Sequence, residues 1–272
     1  MIAEPDMSFK TSDGCTIDYT LHPATRVGAP RVALIHSLAL DRTIWNAVAA
    51  KLSERAEVLT LDCRGHGRSG KPAGPYTTEL FARDLAELFD HIGWTAATVA
   101  GCSMGGCVAQ TFAGIYPARV NSLALIDTTA WYGPEGPKQW RERAENARSK
   151  GLSGLANFQV TRWFSDGFRA ARPDLVDSTL KVFLANDLES YGATCIMLGD
   201  ADLRHYLPSL RMPVSIVVGE EDYATPIAFS QQLHDAIKHS TMTILPGGRH
   251  LTPIQCPNEI ASYILGLIAP NS

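Results

Sequence analysis

The residues with the clearest chemical potential lie in Gly101-Cys102-Ser103-Met104-Gly105, a G-x-S-x-G run between an apolar stretch at 98–100 and a helical pattern at 104–116. A serine on a tight strand-to-helix turn has its oxygen held clear of the sheet, where it can attack a carbonyl carbon. A serine hydroxyl is a poor nucleophile at neutral pH, so a base must lie within hydrogen-bond reach, and a carboxylate must orient that base. Of the eight histidines, His250 has the best claim, because Pro246-Gly247-Gly248-Arg249-His250 follows the last apolar strand pattern. His22, His91, His205, His234 and His239 fall in surface-like or cap contexts, and His36 and His66 fall in turns where a structural role is expected. Asp222, after the strand pattern at 214–218, is the first choice for the orienting acid; Asp127, after the pattern at Val120–Ile126, is the alternative. The chemistry also needs two main-chain donors for the oxyanion. The Met104 amide is one, and the Leu38 amide, in His36-Ser37-Leu38 after Arg31–Ile35, is the other.

These groups must be carried on a scaffold, and the hydrophobic pattern specifies one. Short β-branched runs at Arg31–Ile35, 58–61, 98–100, Val120–Ile126, 214–218 and 241–245 alternate with helical patterns, as in βα units that build a mostly parallel sheet. Several runs are apolar throughout, which marks strands covered on both faces. Residues 16–21 read as part of an N-terminal hairpin, and residues 78–92 as an amphipathic helix capped by Thr78. Asp62 to Ser69, dense in glycine and short polar residues, reads as a rigid structural turn. Between 128 and 208 no strand pattern appears, and a stretch of that length must form its own helices. The expected organisation is therefore a catalytic core of 1–128 and 209–272 with a helical cap insertion at 129–208.

Composition narrows the partners. The 272 residues are 45% hydrophobic and 19% charged with a net charge of −4, which gives no attraction for nucleic acid or an anionic membrane surface. A small molecule is the expected partner, and self-association is left open. The start of the chain lacks a secretory pattern and no run approaches a membrane span, so a cytoplasmic location is expected. Six scattered cysteines without CxxC pairs are expected to be free thiols, with neither metal nor cofactor.

With these residues placed, the chain resembles the α/β-hydrolase superfamily, and within it is most similar to the 3-oxoadipate enol-lactonases of aromatic catabolism. The likeness covers His36-Ser37-Leu38 with Trp45, Asp62 to Ser69, and Gly101 to Gly106. It extends to Arg162-Trp163-Phe164, Gly167-Phe168, Tyr191-Gly192-Ala193, Cys195 and Asp200-Ala201-Asp202. Trp131-Tyr132 and Thr252-Pro253-Ile254-Gln255 depart from the pattern. The resemblance implies an eight-stranded, mostly parallel sheet flanked by helices, with a helical cap after the sixth strand. It also implies hydrolysis of a lactone or ester without a cofactor. A lactone of this kind carries a free carboxylate, for which Arg162 is the candidate partner, while Ser37, Trp131, Trp140 and Trp163 are the candidate pocket walls. A short-chain carboxylesterase is the closest rival reading. A carbon–carbon bond hydrolase, a cofactor-free perhydrolase and a non-catalytic small-molecule receptor follow it.

Overall fold

The structure, a computed structural model, describes residues 7–268. The eight strands are β1 (Met7–Lys10), β2 (Thr16–His22), β3 (Arg31–Ile35), β4 (Glu57–Leu61), β5 (Ala97–Cys102), β6 (Val120–Ile126), β7 (Val214–Gly219) and β8 (Ser240–Leu245). They form one sheet in the order β1-β2-β4-β3-β5-β6-β7-β8. The hairpin β1–β2 and the β2–β4 pair are antiparallel, and every other pair is parallel. β5 and β7 are buried along their whole length, which is why their sequences are apolar without alternation.

Helices α1 (Asn46–Leu52), α2 (Thr78–His91) and α3 (Met104–Ile115) lie between the early strands. Five helices then separate β6 from β7: α4 (Gly136–Lys150), α5 (Ala156–Trp163), α6 (Asp166–Ala171), α7 (Pro173–Leu184) and α8 (Leu188–Asp200). The chain closes with α9 (Ile227–Ala236), α10 (Thr252–Gln255) and α11 (Pro257–Ile268). No helix among the described residues is long and apolar enough to cross a membrane.

Two details of α2 differ from the sequence pattern. Thr77, not Thr78, caps α2: its hydroxyl accepts from the Leu80 amide at 3.1 Å, while Thr78 is buried as the first helical residue. A cap is chosen by the backbone turning into the helix, which neighbouring threonines do not distinguish by type, and the helix ends at His91 with Ile92 as its carboxyl cap.

The parallel register brings the chemistry to one edge. Cys102 pairs with Ile126, Ile126 with Val217, and Gly219 with Leu245, so the loops carrying Ser103, Asp127, Asp222 and His250 all leave at the carboxyl ends of adjacent strands. Open α/β sheets form their ligand sites at this edge.

Candidate active site

Ser103 sits between β5 and α3 with φ +54° and ψ −116°, a conformation that L-residues rarely adopt. It is held at both ends, its N–H donating to Ile126 O at 2.9 Å and its C=O accepting from Thr128 Oγ1 at 2.7 Å. Glycine makes the turn possible by close approach rather than by freedom of φ. A Cβ on Gly101 would stand 2.1 Å from Gly105 O, and one on Gly105 would stand 2.1 Å from Ile35 O. Both contacts are with backbone, which cannot swing away.

His250 Nε2 lies 3.0 Å from Ser103 Oγ, and His250 Nδ1 lies 2.9 Å from Asp222 Oδ2. All three residues are buried. The Asp222 carboxylate only accepts, so Nδ1 carries the imidazole proton and Nε2 presents its lone pair to the serine hydroxyl. Asp222 also accepts from the Ala224 amide at 2.7 Å, the Thr225 amide at 2.9 Å and the Thr225 hydroxyl at 2.8 Å. Burial alone would push its carboxyl pKa up; His250 and these hydrogen bonds outweigh that and hold it below the ordinary value.

Asp127, the alternative acid, is engaged elsewhere. It accepts from the Gly219 amide at 3.0 Å, the Thr252 amide at 3.1 Å and the Thr252 hydroxyl at 2.6 Å. It thereby staples the ends of β6 and β7 to α10, and Thr252, one of the residues departing from the lactonase pattern, is its main partner. Burial and the nearby Asp222 charge push its pKa well up.

On the other side of the serine, Leu38 and Ser37 line the cavity, and Met104 opens α3, where a backbone N–H has no acceptor within the helix. Neighbouring residues fix the Leu38 loop. His36 Nδ1 donates to Ser37 O at 2.7 Å, its Nε2 accepts from the Cys63 amide at 2.9 Å, and Asn186 Nδ2 donates to Ala39 O at 2.7 Å. Asp62 accepts from the Arg42 and Arg68 amides, both at 2.9 Å, and Ser69 Oγ donates back to Asp62 O at 2.6 Å. His36 and the turn from Asp62 to Ser69 are thus engaged with main chain, as is His66, whose Nδ1 lies 3.0 Å from Arg64 O.

The helical insertion supplies the opposite wall. Trp140 and Arg143 from α4, and Gln159, Arg162 and Trp163 from α5, face the same cavity as Ser103, Thr225 and His250. Arg249 ties α5 to the histidine loop by donating to Thr161 O at 2.9 Å and Phe164 O at 3.0 Å, which satisfies carbonyls at the helix end. The cavity leaves about 20 Å³ for the centre of a water-sized sphere, room for roughly one water molecule. Beyond it lies a pocket of about 540 Å³ that shares Tyr132, Trp140, Arg143 and Arg162 as walls.

Of the candidate pocket residues, Ser37, Trp140, Arg162 and Trp163 are at the cavity, whereas Trp131 is not. Trp131 bridges to Asp202 in extended conformation, with its ring 3.7 Å from the Arg204 guanidinium carbon. Successive residues of an extended segment point to opposite sides, so Tyr132 faces the cavity in its place.

Sequence reasoning also missed Arg143, Gln159 and Thr225. Arg143 follows the pocket residue Trp140 by one helical turn, and Gln159 precedes Arg162 by one turn, so helical phase from a known pocket residue is the signal that would have found both.

Electrostatically the two arginines stand out. Arg143 Nε donates to Tyr191 Oη at 2.8 Å and lies over the Trp140 ring at 4.8 Å; Arg162 Nη2 donates to Ala224 O at 3.3 Å and lies over Phe158 at 5.5 Å. Neither has a carboxylate partner among the described residues, although other half-buried or buried arginines such as Arg42 and Arg64 do. Burial and the like charge of Arg143 lower the Arg162 pKa to about 10.

Residues 30–166 match the family described as alpha/beta hydrolase fold. The chain belongs to the α/β-hydrolase family. It is 34% identical over 242 residues to 3-oxoadipate enol-lactonase 2 of Acinetobacter baylyi, covering 88% of this chain and 90% of that protein. The crystal structure of the enol-lactonase from Burkholderia xenovorans LB400 superposes with a TM-score of 0.92 at 29% identity, covering 96% of this hydrolase-fold chain and 99% of the other. A thermophilic esterase from Thermogutta terrifontis, solved with malate bound, gives 0.87 at 28% identity, covering 96% and 97%.

Proposed function

We propose that this α/β-hydrolase cleaves a carboxylic ester or lactone bearing a carboxylate, with 3-oxoadipate enol-lactone as the substrate. The observation that carries this reading is the pair of guanidiniums, Arg143 and Arg162, beside Ser103 and His250 and without carboxylate partners among the described residues. Charges drawn out of water ordinarily come paired, so a substrate anion is the natural counter-ion. Two similar proteins support the reading, one named for enol-lactone hydrolysis and one solved with the dicarboxylate malate.

In the proposed mechanism His250 takes the Ser103 proton as the oxygen attacks the carbonyl, and the Leu38 and Met104 amides hold the oxyanion. The tetrahedral intermediate collapses, the leaving oxygen takes the proton from His250, and water activated by the same imidazole releases the acid from the serine. Asp222 keeps the imidazole in the useful tautomer and stabilises its charged form. Residues 129–208 act as a cap over a core of 1–128 and 209–272. At roughly 20 Å³ the cavity is smaller than such a substrate, so its walls rearrange for one to enter. A cytoplasmic role in aromatic catabolism accompanies this reading.

A broad short-chain carboxylesterase is the second reading, favoured by the apolar Tyr132, Trp140 and Phe158 around the outer pocket. The kcat/KM for enzymatically generated 3-oxoadipate enol-lactone, beside that for p-nitrophenyl acetate, separates the two. A lactone value of about 10⁵ M⁻¹s⁻¹ or more, well above the acetate, is expected of an evolved substrate. A lactone turned over more slowly than the acetate refutes the lactonase reading.

A further inference from the structure

Gln159 is the anomaly of the cavity wall. It is 1% exposed, faces the Ser103 cavity, and its Oε1 is buried without a hydrogen-bond partner among the described residues. Its neighbours at the cavity include the buried Trp140 and Trp163 as well as the polar Arg143, Arg162 and Thr225, yet none of these bonds to the Gln159 oxygen. An amide left unpaired in such surroundings is costly, and a leucine of similar size would pack there without that cost. The side chain is therefore poorly chosen for packing and well chosen for a polar group arriving from outside.

Its placement says what that group is. Gln159, Arg162 and Trp163 stand at i, i+3 and i+4 on α5, so the amide and the guanidinium share one helical face and one cavity. A half-turn about the terminal torsion exchanges the amide oxygen and nitrogen, so the side chain can offer N–H to a group in the cavity. A carboxylate has about four acceptor sites, more than a single guanidinium satisfies, and a neutral donor beside the cation fills another without adding charge.

We propose that Gln159 is a specificity-determining residue whose side-chain amide donates to the substrate carboxylate met by Arg162. The assignment rests on the proposed hydrolysis of carboxylate-bearing esters, and it adds a reader of that carboxylate outside the cationic pair.

The test compares two esters of equal chain length, the mono-p-nitrophenyl ester of adipic acid and p-nitrophenyl hexanoate, on wild type, Gln159→Leu and Gln159→Glu. In Gln159→Leu the ratio of kcat/KM for the acidic ester to that for the neutral ester falls about tenfold or more, as for loss of a hydrogen bond to a charged group. The melting temperature does not fall, because an unpaired buried amide has been replaced by an apolar side chain. In Gln159→Glu, which keeps the shape but brings a negative charge to the carboxylate, the ratio falls further than in Gln159→Leu. This second variant carries the test if the first fails to fold. A ratio unchanged in the variants overturns the proposal, as does an equal loss on both esters accompanied by a lower melting temperature. A wild type with no preference for the acidic ester overturns the carboxylate reading of the site and this proposal with it. A wild type that has the preference, with variants that retain it, overturns the role of Gln159 alone.

Discussion

Replacing Asp222 by asparagine probes the least local feature of the site. The carboxylate has two unlike sides. Oδ1 accepts the Ala224 and Thr225 amides, and Oδ2 faces His250 Nδ1 and the Thr225 hydroxyl. An asparagine keeps the first side only by placing its carbonyl oxygen there, which turns its NH₂ toward His250. That NH₂ donates to Nδ1, forcing the imidazole proton onto Nε2, where it points at Ser103 Oγ and cannot remove the hydroxyl proton. The base is lost while the packing is kept. In a serine site of this design the wrong tautomer costs about 10⁴-fold in kcat, about 5.4 kcal/mol at 1.36 kcal/mol per tenfold. Turnover of p-nitrophenyl acetate at saturation, with a thermal melt on the same preparation, reads both quantities, and the melting temperature stays within a few degrees of wild type. Asp127→Asn is the counterpart. All three groups facing Asp127 donate to it, so one must confront an amide NH₂, costing about 1–3 kcal/mol of stability with kcat within tenfold of wild type. If Asp222→Asn retains activity within tenfold, or Asp127→Asn loses as much as the Asp222 variant, the assignment of the orienting acid is wrong.

Two further outcomes follow from the packing. Burial and the neighbouring His36 hold the His66 pKa near 3 against 6.5 for the free side chain. Between those values the unfolded chain binds a proton that the folded one does not, so this group lowers stability as pH falls below 6.5, by up to about 1.4 kcal/mol per unit. Asp62, Asp84 and Asp127, whose pKa values are pushed up by burial, respond with the opposite sign, so the contribution is read by difference. Denaturant unfolding of wild type and His66→Gln at pH 7 and pH 4.5 should show the wild-type advantage shrinking in acid, and an advantage independent of pH refutes the account. Trp131→Ala, which removes the stack beneath Arg204, should cost about 0.5–1 kcal/mol of stability and leave kcat/KM within threefold; a tenfold loss would put Trp131 back in the pocket.

Much of this protein is legible in one dimension because its chemistry sits on local patterns. The run Gly101 to Gly105 encodes its own turn, since only glycine fits where a Cβ would stand 2.1 Å from backbone, and apolar runs such as Val214–Gly219 encode buried strands. His250 could be chosen because the loop after a terminal strand has one place to go. The choice between Asp222 and Asp127 was not local: both leave the same sheet edge, and only the meeting of three loops gives one to His250 and the other to Thr252. The insertion was least legible. Whether Trp131 or Tyr132 faces the serine depends on a bridge to Asp202, 71 positions along the chain, and Arg143 looks like any arginine of a surface helix until α4 is laid over the site. Side-chain type and spacing determine what a segment can form, whereas the direction in which a helix or bridge turns its faces is decided by packing against residues far away in the chain.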